Sequence, residues 1–242
     1  MRIPRIFHPQ ALAEKHRVAL DDNAARHVAR VLRLNPGAEL TLFDGHGGEY
    51  PATIVELGKR LVEVELGAQR NVEVESPLQV TLAQGISKGE RMDYTIQKAV
   101  ELGVSRIVPL DTERSVVNLK GERQEKKQAH WHGVIISACE QCGRNTLPKL
   151  LPQQTFDSWL QNELNGTSLL LDHRANTSID SLQVNGAITL LIGPEGGLSE
   201  QERERALEAG YQGLRLGPRV LRTETAALTA LAALQSHFGD LR

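Results

Sequence analysis

Hydrophobic and polar positions follow two different rhythms along this chain. In AELTLFD (38–44), YPATIVEL (50–57) and LVEVELG (61–67), apolar residues recur at every second position. That is the period of half-buried β-strands. Asp44-Gly45 and Gly47-Gly48 mark a hairpin loop between the first two. A helix is predicted over roughly 22–33, with Ala25, Val28 and Leu32 as its apolar stripe. Residues 1–70 therefore read as a small β-barrel with one helix, and the polar stretch from Gln69 to Pro77 as a linker.

From residue 78 the rhythm changes to strand–helix alternation. LQVTLAQGI reads as a strand, GERMDYTIQKAVELG as a helix and RIVPLDT as a strand. A long helix follows over roughly 122–142, then a short strand near Lys149–Leu151 and a helix near 155–164. LLLDH, ITLLIG and LRLG supply three more strands. The pattern predicts an α/β domain over 77–242, a mostly parallel sheet with helices on both faces.

Composition narrows the function classes. The chain has 242 residues, 40% of them hydrophobic, and a net charge of -2. At roughly 150 residues per domain this suits one large or two modest domains. Aromatic residues are only 4%, too few for a base-stacking platform. No apolar run approaches the roughly 20 residues of a membrane span, and MRIPRIFHPQ lacks a signal-peptide core, so a cytoplasmic protein with no membrane partner is expected.

Both cysteines, Cys139 and Cys142, fall near the end of the long predicted helix rather than at a helix start, where a redox pair belongs. Trp131, Ile135, Ala138 and Cys142 share one helical face. No second cysteine pair completes a zinc site, and His130 and His132 point to different faces. Buried helix cysteines and no metal are expected.

The near-zero net charge hides an asymmetry. Residues 1–33 hold seven Lys/Arg (Arg2, Arg5, Lys15, Arg17, Arg26, Arg30, Arg33) against Glu14, Asp21 and Asp22, a net +4. Arg26, Arg30 and Arg33 are spaced to share a helix face. A solvated polar face is the plain alternative. RNA binding is favoured by Arg2 and Arg5 outside the helix, since guanidinium suits phosphate.

Two glycine-marked segments carry most of the chemistry: 188-ITLLIGPEGGLSEQE-202 and 214-LRLGPRVLRTETAALTALAAL-234. Each runs from a strand through a turn into a helix, where open α/β sheets bind ligands. In the first, Gly193, Gly196 and Gly197 permit positive φ or close backbone approach, and Ser199 caps a helix with Glu200 and Glu202 in its first turn. No Gly-Lys-Ser/Thr follows, and Glu195 inside the loop disfavours a polyanion. A neutral or cationic ligand fits better, such as the sulfonium S-adenosylmethionine. In the second, Arg219 and Arg222 stand at a mostly apolar turn, where charge must be paired or used. Thr223 is placed to cap the helix that follows.

The strings LLIGPEGGLS, LGPRVLRTETA, CEQCGRN (139–145) and KGERMDYTIQKAVELGV (88–104) closely resemble the RsmE family, ribosomal-RNA uridine-N3 methyltransferases of the SPOUT (trefoil-knotted) class. The resemblance runs from MRIPRIFHP to HFGDLR, essentially the whole chain. It implies a SPOUT domain over 77–242 with an S-adenosylmethionine site, a PUA-like RNA-binding unit over 1–70, 16S rRNA of the small ribosomal subunit as substrate, and a homodimer. The apolar C-terminal helix is a potential interface for that dimer. A different RNA substrate with the same cofactor, or a non-catalytic RNA-binding assembly factor, are the alternatives.

On this resemblance the cofactor would be held by Leu171, His173, Ile192, Gly193, Pro194, Glu195, Gly196, Leu216, Gly217, Val220, Leu221 and Thr223. Relatives often carry proline after the histidine; here it is Arg174, which changes that loop. Uridine N3 must lose a proton before it attacks, so a cation that stabilises the developing anion is needed, worth roughly 3–4 kcal/mol per good donor. Arg222 is the first choice and Arg144 the second, while Glu195 and Glu224 are the nearest carboxylates for the proton. Glu224 also reads as a capping or arginine-pairing residue. Gln141, Arg144 and Asn145 are placed to contact RNA, with Gly143 as the helix C-cap.

Overall fold

The computed structural model describes residues 3–58, 61–117 and 119–241, so the part expected of Arg2 lies outside the described residues. The chain divides into two compact units: Met1–Glu75 with Cys139–Leu147, and Ser76–Ala138 with Pro148–Arg242.

The first unit contains β1 (Arg5–Phe7), β2 (Arg17–Ala19), α1 (Asp22–Arg26), β3 (Glu39–Phe43), β4 (Tyr50–Leu57) and β5 (Val62–Leu66). They form a five-stranded sheet in the order β1-β3-β4-β5-β2, parallel only between β1 and β3. The three alternating segments are strands where expected. Two strands of three residues each escape notice, because three residues show no period. Ile6, Leu12, Val18, Leu40, Leu42, Ile54, Val62 and Val64 make the core.

The helix over 22–33 requires correction. Asp21 caps α1 by accepting the N–H groups of Asn23 and Ala24 at 2.8 and 2.9 Å. The α-helix stops at Arg26 and widens into a π-helix over His27–Val31, whose Leu32 N–H bonds His27 O at 2.9 Å. Arg33 then takes φ 52° and leaves the helix. The wide turn keeps Val28 buried and Leu32 against the core. Arg26, Arg30 and Arg33 are all exposed, but they do not share one regular helix face.

The second unit contains β6 (Val80–Gly85), α2 (Glu90–Glu101), β7 (Arg106–Asp111), α3 (Glu122–Cys142), β8 (Lys149–Leu150), β9 (Gln154–Thr155), α4 (Phe156–Leu160), β10 (Thr167–Leu171), β11 (Ile188–Ile192), α5 (Glu200–Glu208), β12 (Gln212–Leu214) and α6 (Thr223–Phe238). The last turn of α3, from Cys139, belongs to the first unit. All pairings are parallel, in the order β12-β10-β11-β6-β7-β8, with β9 also on β7. Registered positions run across the sheet as Leu170, Leu191, Ala83 and Val108, and these pack against Phe156 and Trp159 of α4 and Ala206 of α5. The alternate row, Leu169, Leu190, Leu82 and Ile107, faces the other way, and all four are fully buried. On that face α6 packs against β11 and α2 against α6.

The expected strand LRLG (214–217) is displaced. β12 is Gln212–Leu214, paired with Leu169–Leu171 of β10, and Arg215–Gly217 leave the sheet. Sequence pattern favoured the apolar pair Leu214 and Leu216. The strand instead takes in Gly213, where an added Cβ would lie 3.0 Å from the Ala175 Cβ, a tighter approach than side chains usually make.

Candidate functional site

The sheet's carboxyl edge delivers the ends of β10, β11 and β12 to one place. Gly193 ends β11 with its backbone folded against its own loop: an added Cβ would lie 2.6 Å from Leu198 N. Gly85, at the end of β6, is equally confined, 2.5 Å from Pro194 N and Cδ. The loop closes through Gly197 N–H to Pro194 O at 2.8 Å, and Gly197 has φ +67°. Of the three glycines expected to relax the backbone, this is the one whose φ demands it.

Ser199 caps α5 as expected. Its Oγ accepts the Glu202 N–H at 3.2 Å, and Glu202 accepts the Ser199 N–H at 2.9 Å. The second carboxylate oxygen of Glu202 accepts the Glu113 N–H at 2.8 Å, fixing the helix start to the loop after β7.

Thr223 does not cap α6; Arg222 occupies that position, with no side-chain capping bond. The Thr223 hydroxyl is spent elsewhere. It donates to Gly193 O at 2.6 Å and accepts from Gln84 Nε2 at 2.9 Å. One buried hydroxyl thus ties the glycine loop, the end of β6 and the start of α6 together. Gln84 was not singled out from sequence. Its signal is a lone amide in the apolar strand VTLAQG, where a buried polar group needs partners.

The twelve positions expected to bind cofactor line one cavity of about 260 Å³. Leu171, Ile192, Leu214, Leu216, Leu221 and Ala226 make it largely apolar. Its charged members are Asp172, Glu195 and Arg219, and the exposed His173 also lines it. Burial opposes ionisation of Asp172, but the Arg174 N–H and the Arg203 guanidinium, 2.5 Å away, outweigh it and hold the carboxyl below its usual range. Glu195 behaves alike. Burial disfavours its charge, yet the Lys88 N–H at 2.9 Å, its own N–H and Arg91 at 3.0 Å hold it ionised below the ordinary value. These commitments make Glu195 a weak proton acceptor and a firm anchor for the loop. Arg91 and Arg114, which donates to Gly196 O at 3.0 Å, left no sequence signal among the exposed arginines.

Beside this cavity lies a second, of about 220 Å³, lined by Arg91, Glu195, Arg222, Thr223 and Glu224. Arg222 is exposed and makes no ion pair among the described residues. Glu224 keeps one carboxylate oxygen, Oε2, buried without a hydrogen-bond partner.

In the first unit, residues expected to face RNA are used internally. Arg5 bonds Glu49 and Asn145 at 2.5 Å each and lies over the Phe43 ring. Arg144, with 6% of its side chain exposed, pairs with Glu75 through Nε at 2.9 Å and through Nη2. Asn145 is fully buried and donates to Val72 O at 2.7 Å. Burying a guanidinium requires such pairing. Gln141 stays exposed, and Gly143 takes φ +96° as the expected cap. Burial pushes the Cys139 thiol up to about 12, an unreactive group. Among the described residues no group of three or more His, Cys, Asp or Glu could hold a metal, and no helix is long and apolar enough to cross a membrane.

The chain thus joins, in sequence, a small β-sheet unit to a parallel-sheet unit whose glycine turns enclose an apolar, carboxylate-edged cleft. Residues 74–235 match the RNA methyltransferase domain family and residues 20–67 the RNA methyltransferase PUA domain. A curated relative, ribosomal RNA small subunit methyltransferase E of Buchnera aphidicola, is 36% identical over 243 residues, 99% of this chain and 98% of that one. The Bacillus subtilis protein of the same name is 30% identical, over 93% of this chain and 92% of its own. A crystal structure of that enzyme from Neisseria gonorrhoeae, bound to S-adenosylmethionine, superposes with a TM-score of 0.95 at 44% identity, covering all of both chains. A Legionella pneumophila methyltransferase, also with bound S-adenosylmethionine, gives 0.97 at 42% identity, again over all of both. The chain belongs to the ribosomal RNA small subunit methyltransferase E (RsmE) family. The parallel sheet flanked by helices and the PUA-like sheet expected of it are both present.

Proposed function

We propose that this chain transfers a methyl group from S-adenosylmethionine to N3 of a specific uridine in 16S rRNA of the small ribosomal subunit. The observation that carries this reading is the cleft between the two turns. It offers apolar walls and backbone groups to a nucleoside, and two ionised carboxylates repel phosphate but suit a sulfonium. Leu171, Leu216 and Leu221 would flank the adenine, with the backbone of 192–197 and 216–221 gripping its polar edge. His173, Val220 and Thr223 would complete the wall. When bound, the cofactor supplies an electrophilic methyl group.

The chain's own residues do the rest. Arg222, unpaired and beside the cleft, would stabilise the anion that develops on uracil as N3 loses its proton. Arg144, held by Glu75, would be a structural residue instead. The rRNA backbone would be met by Arg26 and Arg30, exposed around a cavity of about 510 Å³, and by Arg33 and Gln141. The reading includes a cytoplasmic homodimer through the apolar C-terminal helix α6, whose Leu228, Ala232 and Ala233 stay partly exposed.

Reverse transcription of 16S rRNA tests the assignment, because N3-methylation blocks Watson–Crick pairing. A stop present in the parent strain should vanish when this protein is absent. An unchanged stop pattern would overturn the uridine-N3 reading. Stabilisation by S-adenosylhomocysteine tests the cofactor separately: at 100 times its dissociation constant it should add about 2.7 kcal/mol.

A further inference from the structure

We propose that the cavity beside the cofactor cleft, lined by Arg91, Glu195, Arg222, Thr223 and Glu224, receives the uracil ring, and that Glu224 takes the N3 proton. The inference rests on the reading of the chain as a uridine-N3 methyltransferase. It assigns to Glu224 the proton transfer that Glu195 is badly placed to perform.

Three observations lead there. First, the cavity shares Glu195 and Thr223 with the cofactor cleft, so a base seated in it lies next to the donor. Its 220 Å³ suits one planar pyrimidine ring. Second, its charges are those an imide requires. Uracil presents two carbonyl acceptors flanking one N–H donor, and here two guanidinium groups and two carboxylates face one space. Third, the two carboxylates are differently occupied. Glu195 Oε1 already accepts from the Lys88 N–H and from Arg91. Its role is to hold Arg91 and the glycine loop in place. Glu224, which lines the same cavity, makes no hydrogen bond or ion pair among the described residues. A carboxylate on the cavity wall that no donor of the chain satisfies is the one free to accept the imide N–H.

The N3–H proton passes to a Glu224 oxygen, and the electron pair freed on N3 forms the new N–C bond. The pair of the broken S–C bond stays on the donor sulfur, turning a sulfonium into a thioether. Glu224 then loses the proton to water. Arg222 faces the carbonyl oxygen that carries the developing charge, and Arg91 and Glu195 are the other charged groups around Glu224.

The test uses a short 16S fragment around the reverse-transcription stop, made with either uridine or N3-methyluridine at that nucleotide. Its affinity for cofactor-free protein is measured first. Wild-type protein should prefer uridine at least tenfold, because the methylated base has no N–H to offer. Glu224→Ala should lose that preference. Glu224→Gln should keep it, since an amide oxygen still accepts the N–H but cannot retain the proton. Single-turnover transfer by Glu224→Gln should then fall by about 10²–10⁴, with the remaining rate rising with pH as hydroxide replaces the carboxylate. Glu224→Asp should recover part of the rate.

Equal preference in wild type and Glu224→Ala, or a wild-type rate in Glu224→Gln, would overturn the proposal. So would a Glu224→Gln defect in S-adenosylhomocysteine binding as large as its defect in transfer. Failure of wild-type protein to methylate the fragment would instead sink the underlying function.

Discussion

The turn after β11 is packed so tightly that a Cβ at Gly193 would lie 2.6 Å from backbone, whereas a Cβ at Gly217, in the turn after β12, would have no neighbour within 4 Å. The first turn is held from three sides, by Thr223, by Arg114 and by Lys88 with Arg91 through Glu195. In the second, Gly217 through Val220 are exposed, and Val220 leaves 77% of its surface in water. One wall of the cleft is therefore set before any ligand arrives. The other is apolar, open and placed to settle on whatever enters. A preorganised wall lowers the ordering cost of binding, and an adjustable one admits the ligand.

This contrast can be broken by mutation, and the effects should fall in order. Gly193→Ala should be the most damaging, because backbone rather than a flexible side chain meets the new methyl. A loss of about 3 kcal/mol would lower the melting temperature by roughly 6–12 °C in a chain of this size, with S-adenosylhomocysteine binding abolished. Thr223→Val keeps the shape but removes the bonds to Gly193 O and Gln84. A cost of about 1–3 kcal/mol is expected by denaturant titration, and the same loss in a Gln84→Leu, Thr223→Val double variant would show that the two act as a unit.

Gly217→Ala should cost only about 1 kcal/mol, the strain of an alanine at φ +73°. Its stability loss should be smaller than its loss of ligand affinity in calorimetry. Parity with Gly193→Ala would mean that the second turn is as constrained as the first. Smallest is the pH effect at Glu195. Its carboxyl titrates below the ordinary value of 4.5, so the stabilisation it provides is complete above that value and is lost as pH falls through the lowered one. The stability gap between wild type and Glu195→Gln should be constant above about pH 5 and close at lower pH.

Much of the second unit was legible because its signals are local. The long helix over 122–142, the Ser199 cap and the apolar strand 188–192 depend on neighbours a few residues apart. The strand at 212–214 was not, because Gly213 belongs to the sheet only through β10, about 40 residues earlier in sequence. The same limit affected the arginines. Arg5 and Arg144 resemble Arg26 and Arg222 in sequence, yet the first two are buried in ion pairs and the last two lie in the open. Nothing within a few residues distinguishes them, since Glu75 is 69 positions from Arg144 and Glu49 is 44 from Arg5.

By itself, the amino-acid order determined the strand–helix alternation, the two glycine turns and the family to which the chain belongs. Periodicity, caps and motif strings are short-range properties that survive without a fold. Tertiary structure alone decided which charges are available for chemistry. It buried Arg144 and Asn145, held Glu195 ionised in the loop, diverted Thr223 from capping to clasping and left Glu224 Oε2 bare. The reason is physical: a side chain's charge, partners and accessibility depend on what long-range packing brings within about 4 Å of it.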